Sequence, residues 1–232
     1  MTATLTSIQL SAPITESTTL TTRQSTRWLA PGAVAGPLLF TLAWLCLGFL
    51  SPGYTLFGTL IAPYSPISEP VSGLGLGRTA PVMNAAFVLS GLLLLVGVVG
   101  VFRGIETMGT VERWSCALLL ALSPLGAVMD GMFTLESPIL HLVGFLLATA
   151  TPILSFPIAG VFLGSLPRWR RFGSWLLLGS PLTLTLLILF FLTFSPTAAG
   201  AETGAAGLTQ RILVLEVQAW FVAMGWLAFR RS

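Results

Sequence analysis

Charge is scarce in this sequence of 232 residues. Charged side chains make up 8% of it and hydrophobic ones 54%, where an ordinary soluble domain carries about 25% charged residues. There is no lysine, so all eleven basic residues are arginines; there is one histidine, His141, and there are two cysteines, Cys46 and Cys116. Each shortage excludes something. A soluble core-and-shell domain cannot be covered by so few charges. The net charge of +3 comes with no basic patch, which excludes nucleic acid as a partner. Two cysteines at different depths of two apolar runs make neither a disulfide framework nor a metal site, and read as small buried hydrophobes. A mechanism that needs histidine must use His141. No Gly-rich phosphate loop, nucleophile elbow, paired-His helix or Cys-x-x-Cys is present, and no metal or other cofactor is expected.

What fills the chain is apolar runs, over 29–50, 82–102, 114–130, 139–163, 172–194 and 208–229. A hydrocarbon core of about 30 Å takes roughly 20 helical residues to cross. Five runs reach that length and the third falls slightly short. They are about twice as long as a membrane barrel strand and apolar on both parities. A helix also satisfies its own backbone in lipid. The expected fold is an all-α integral membrane protein, a bundle of six transmembrane helices over 29–232.

Arginines orient the bundle. Arg23, Arg27, Arg103, Arg113, Arg168, Arg170, Arg171, Arg230 and Arg231 flank one side, and only Arg78 and Arg211 the other. Basic residues concentrate in cytoplasmic loops, so both termini are expected in the cytoplasm and the protein in the plasma (cytoplasmic) membrane. Residues 1–28, rich in Ser and Thr, read as a disordered cytoplasmic tail and not as a cleavable secretory signal.

The loop over 51–81 is expected outside and is too long for a plain connection. Ser65-Pro66 is an N-cap and first-turn pair, with Gly73, Gly75 and Gly77 beyond it as stops. A short helix is predicted around 66–72, serving as a lid or as a structured connector. Endings of the form GVFRG, GVFLG and LAFRR on the second, fourth and sixth runs leave open three tandem hairpins or coincidence.

The stretches PYSPISEPVSGLGLGRTAPVMNAAFVLSGLLLL and GMFTLESPILHLVGFLLA resemble the bacterial and archaeal membrane family catalogued as domain of unknown function 998, over residues 30 to 229. Asn84 matches the Asn-Ala that opens its second helix, and His141 the His that opens its fourth. Gly73 stands where members often carry an acid, and Thr134 where they often carry proline. The resemblance implies six membrane helices and supplies no activity.

Chemistry must then rest on polar groups kept within an apolar chain, since burying an ionisable group in lipid costs several kcal/mol. Glu216 lies eight residues into the sixth run, about 12 Å deep at 1.5 Å per residue. It reads as a proton- or ligand-binding carboxylate or as an interhelical hydrogen bond, with Asn84, Trp44 or a water as partner. Arg211 is expected to snorkel outward, with Gln218 on its face. Asp130, Glu136 and His141 converge on one outer mouth. They suit acid–base work or are ordinary interfacial charges, and their spacing is no known metal signature. Ligand-binding candidates are therefore Glu216, Arg211, Gln218, Asn84, Glu136 and the loop carboxylate Glu69; catalytic candidates are Asp130 and His141. Pro124, Pro152, Pro157 and Pro181 interrupt three helices. Kinks there would open a cavity toward Glu216 or be unremarkable in a membrane helix. Gly91, Gly97 and Gly100 let helices approach.

Two functions fit. One is binding or moving an amphipathic or lipid-like ligand through an outward-facing polar pocket. The other is a membrane-embedded hydrolase or transferase acting on a lipid headgroup at the Asp130/His141 mouth, with Ser68, Ser72 and Ser137 nearby. Membrane lipids are the expected partners in either case.

Overall fold

A computed structural model describes residues 28–196 and 202–231. All but the last residue of the expected tail, Arg23 and Arg27 included, lies outside the described residues. The helices are α1 (Gly32–Leu50), α2 (Ala80–Arg103), α3 (Thr110–Met132), α4 (Pro138–Thr149), α5 (Thr151–Gly164), α6 (Arg170–Thr193) and α7 (Ala206–Arg231). Among the described residues six helical stretches, with α4 and α5 counted as one, are long and apolar enough to cross a membrane. The third is a full span. Helix α3 begins at Thr110, so Glu112 and Arg113 lie within its first turns; their charge, not a break in the helix, makes the apolar run look short.

Neighbours in sequence pack as neighbours in space, from α1 against α2 through α5 against α6 and α6 against α7, and α7 closes the ring against α1. Gly97 of α2 lies so close to α1 that a Cβ there would run into the backbone of Ala33, as small-residue packing predicts. Large apolar side chains such as Leu42, Phe49, Leu118, Leu154 and Leu192 face outward, the arrangement that lipid favours and water does not.

The fourth span is cut in two at Ala150, one residue before Thr151-Pro152. Proline has no N–H for the carbonyl four residues back, which here belongs to Ala148. The Ser123 hydroxyl of α3 donates to that oxygen at 2.7 Å. Pro157 likewise frees the Ile153 carbonyl, and Ser180 of α6 donates to it at 2.6 Å. Each serine immediately precedes a proline of its own helix, Pro124 and Pro181.

Between α1 and α2 the chain builds a cap. Strands β1 (Tyr54–Leu56) and β2 (Thr59–Ile61) pair antiparallel, Tyr54 opposite Ile61. Phe57 and Gly58 both take positive φ, 48° and 83°, as a two-residue type I′ hairpin requires. The helix predicted around 66–72 does not form: residues 66–69 are a turn, and two short 3₁₀ helices follow, Val71–Gly75 and Gly77–Thr79. Pro70 is extended, with ψ 157°, which breaks the turn from the 3₁₀ segment. Gly73 falls inside that segment and does not stop it, and Gly75 is its last residue.

Two apolar clusters result. One joins α1 and α2 to the cap through Phe40, Trp44, Tyr54, Tyr64, Leu74 and Phe87. The other fills the bundle nearer the arginine-rich end, around Phe102, Leu120, Phe156, Leu163 and Phe221.

Candidate functional site

A cavity opens between the two clusters. Phe40, Phe87, Leu94, Phe145 and Phe221 supply apolar wall. Ser72 and Asp130 line it at the cap end, together with Gln210 from the first turns of α7. On α7 the lining residues run from Gln210 to Phe221, eleven residues or roughly 16 Å of depth at the helical rise. Ser123 and Thr149, beside the proline breaks, also line it. Glu216 does not.

His141, 6% exposed, does not itself line this cavity; it adjoins Ser72 and Asp130, which do. The chain places it there by a tight reversal. Helix α3 ends at Met132, Phe133 is extended, the Ser137 N–H bonds to the Thr134 carbonyl at 2.8 Å, and Pro138 starts α4. The imidazole Nδ1 lies 2.8 Å from the Phe133 carbonyl oxygen. A carbonyl can only accept, so the neutral ring carries its proton on Nδ1, and the Nε2 lone pair is free. That lone pair faces the Ser72 hydroxyl at 2.8 Å. On the opposite side of the ring, Asp130 Oδ1 stands 3.4 Å from Nδ1. Asp130 is 5% exposed, and this oxygen has no hydrogen-bond partner. Gly144, one turn after His141, gives the carboxylate its room; a Cβ there would strike Asp130 Oδ1.

Three contacts hold Ser72. The Gln210 side-chain oxygen accepts from the Val71 N–H at 2.7 Å, the Thr79 hydroxyl donates to the Leu74 carbonyl at 2.7 Å, and Asn84 Nδ2 donates to the Gly75 carbonyl at 3.1 Å. Asn84 and Gln210 thus clamp the Ser72 turn from α2 and α7.

A second polar cluster locks the cap to α7. Arg211 does not snorkel; it is 6% exposed. Its Nη1 donates to the carbonyls of Pro66 at 2.7 Å, Glu69 at 3.0 Å and Gly207 at 2.7 Å, and its Nη2 donates to the Tyr64 hydroxyl. The guanidinium lies over the Trp44 ring at 5.4 Å. Glu69 accepts from the Tyr54 hydroxyl and from the Glu202 N–H, so its carboxylate is engaged within the cap. The N–H groups of Gly207 and Leu208, orphaned at the start of α7, donate to the Ser68 and Ile67 carbonyls at 3.0 and 2.9 Å. Burial, reinforced by Glu69, pushes the Tyr54 hydroxyl well above the ordinary phenol range. Burial raises Tyr64 too, with Arg211 pulling the other way. Both therefore stay neutral donors.

The remaining candidates scatter. Glu216 is half-buried between α6 and α7. Its partners are the Thr183 hydroxyl, at 2.8 Å, and the Trp220 indole N–H, at 2.5 Å, in place of Asn84 or Trp44. Gln218 accepts from the Thr41 hydroxyl at 3.1 Å and lines the cavity. Glu136 is exposed, whereas Asp130 and His141 are buried. Among the described residues no group of three His, Cys, Asp or Glu gathers closely enough to hold a metal ion. Both cysteines are free thiols. Sequence reasoning passed over Gln210, although two glutamines eight residues apart share one face of an apolar helix. Tyr54, Tyr64 and Glu202 had no local signal, because their partners come from distant segments.

A family model described as protein of unknown function (DUF998) matches residues 34–227. No curated protein and no solved structure matches.

Proposed function

The chain belongs to the DUF998 family, whose description assigns no activity, and on that premise we propose that it binds or moves an amphipathic, lipid-like molecule in the cavity beneath the cap. The protein is a multi-pass membrane protein by its six spans; the reading places it in the cytoplasmic membrane with the cap outside. One observation carries the proposal: a cavity with apolar walls and polar groups gathered at one end. Small-molecule sites join apolar walls to a few convergent polar groups in the same way. An alkyl chain suits the Phe40, Phe87, Leu94 and Phe221 walls, and a polar headgroup suits Ser72, Gln210 and the unpartnered Asp130 oxygen.

The test is lipid co-purification. Full-length protein in a mild detergent is analysed by native mass spectrometry, alongside Ala127→Phe, which fills the cavity from α3. The expected result is one retained amphiphile per wild-type chain and its loss from Ala127→Phe, both proteins unfolding cooperatively. Equal lipid loads on the two, or none on the wild type, would overturn the reading.

A further inference from the structure

We propose that Ser72 and His141 are a nucleophile and its general base, and that the protein cleaves the carboxylic ester of an amphiphile whose acyl chain lies in the cavity. The inference rests on the cavity being the amphiphile site and adds a reaction to it. Three features of the geometry carry it. The Ser72 hydroxyl is 2.8 Å from His141 Nε2, within the hydrogen-bond reach that proton transfer from a serine nucleophile requires. The Phe133 carbonyl at Nδ1 holds the ring in the tautomer whose Nε2 can accept that proton. Asp130 Oδ1, 3.4 Å from Nδ1 and otherwise unpartnered, lies on the side of the ring away from serine, where a carboxyl group orients the imidazole and a carboxylate would stabilise an imidazolium. Asp130 is a positioning residue; Ser72 and His141 are the reacting pair.

The steps balance. Ser72 Oγ attacks the ester carbonyl carbon while His141 Nε2 takes the hydroxyl proton. The tetrahedral adduct collapses, its bond to the alkoxy oxygen breaks, and the leaving alcohol takes the proton from Nε2. Water then attacks the acyl-Ser72 carbonyl, again giving its proton to Nε2. The serine–acyl bond breaks, a carboxylic acid departs, and the proton returns to Ser72. The net change is ester plus water to acid plus alcohol, with no oxidant or metal consumed. Gln210 lines the cavity with its oxygen committed to the Val71 N–H next to Ser72, so its amide NH₂ is the donor it has left for developing oxyanion charge.

The other role these contacts allow is a latch, in which Ser72 only ties the cap to α4. The experiment separates the two. Full-length protein in detergent is treated with a long-chain alkyl fluorophosphonate, whose phosphorus traps an activated serine by losing fluoride, and the adduct is located by peptide mass spectrometry. Turnover is followed with p-nitrophenyl esters of increasing acyl length. The expected result is an adduct on Ser72, ester cleavage that rises with chain length, and loss of both in Ser72→Ala. His141→Gln should lower the labelling rate about a hundredfold or more, the range of a lost general base. Asp130→Asn should slow labelling of Ser72 and shift the pH profile of that labelling, which a residue that only packs the turn would not do. Ser72→Thr, which keeps a hydroxyl, serves if Ser72→Ala does not fold: a latch keeps its stability and never labels. Absence of a Ser72 adduct on folded wild-type protein that still carries its amphiphile overturns the reaction and leaves the binding reading standing. A Ser72 adduct with turnover indifferent to chain length and to Ala127→Phe overturns the placement of the acyl chain in the cavity, and the binding reading with it.

Discussion

Two serines take over hydrogen bonds that two prolines remove from a neighbouring helix. Ser123 satisfies the Ala148 carbonyl freed by Pro152, and Ser180 the Ile153 carbonyl freed by Pro157. In hydrocarbon no water can replace a lost donor, so removing the hydroxyl leaves an acceptor unpaired. A buried unsatisfied group costs about 1–3 kcal/mol, but interhelical hydrogen bonds in membranes average about 0.6 kcal/mol. Ser123→Ala and Ser180→Ala are therefore expected to destabilise by about 1 kcal/mol each, Ser123 the more because it is buried and Ser180 only partly so. Ser165→Ala is the control, since that hydroxyl bonds the Phe162 carbonyl at an exposed position and should change nothing measurable. Reversible unfolding in mixed micelles measures all three; Ser123→Ala indistinguishable from Ser165→Ala would sink the argument. The Ser-Pro and Thr-Pro pairs were legible in the sequence, and so was the principle that hydroxyls repair proline breaks. Which serine serves which carbonyl was not, because donor and acceptor lie 25 and 27 residues apart and meet only through helix packing.

The cap shows why loop elements read less well than spans. Its hairpin rests on three-residue strands joined by Phe57-Gly58, and phenylalanine at a positive-φ position hides the usual Asn-Gly signal. Its 3₁₀ segments contain the glycines that argue against a helix. What holds the cap is remote: the Arg211 fork and the first N–H groups of α7. A lysine could not reproduce that fork, since its ammonium is a single donor centre without the guanidinium's planar geometry. Hydrogen bonds to a charged group are worth about 1.5–3 kcal/mol, and each 1.4 kcal/mol is roughly tenfold in an opening equilibrium. Arg211→Gln should accordingly raise hydrogen exchange of the amides over 54–76 by about tenfold to a hundredfold, with amides in the middle of α2 and α6 unchanged. Exchange that rises equally everywhere would mean global destabilisation, and exchange unchanged in the cap would show that Arg211 does not secure it.

At the scale of the whole molecule, six spans could be read from composition because lipid leaves the backbone so few solutions; the lateral order of helices and the cavity between them could not, because both depend on which faces meet. Orientation is a global property as well. Among the described residues Arg103, Arg113, Arg168, Arg170 and Arg230 all lie at one end of the bundle, at the ends of α2, α3, α5, α6 and α7, and Arg78 and Arg211 lie at the cap end. Arg211 is consumed by the cap, so the cap end offers little free positive charge to retain it in the cytoplasm. The positive-inside rule counts charges near span ends in short loops, and every such loop here favours the same side. The expected topology is cap outside, arginine-rich end in the cytoplasm. Single cysteines test it once Cys46 and Cys116 are replaced: Leu60→Cys on the exposed hairpin and Ser165→Cys in the exposed turn between α5 and α6. In intact cells a membrane-impermeant maleimide should label position 60 at once and position 165 only after permeabilisation. The reverse pattern would turn the molecule over, place the Ser72–His141 pair on the cytoplasmic face, and require its ester to come from the inner leaflet.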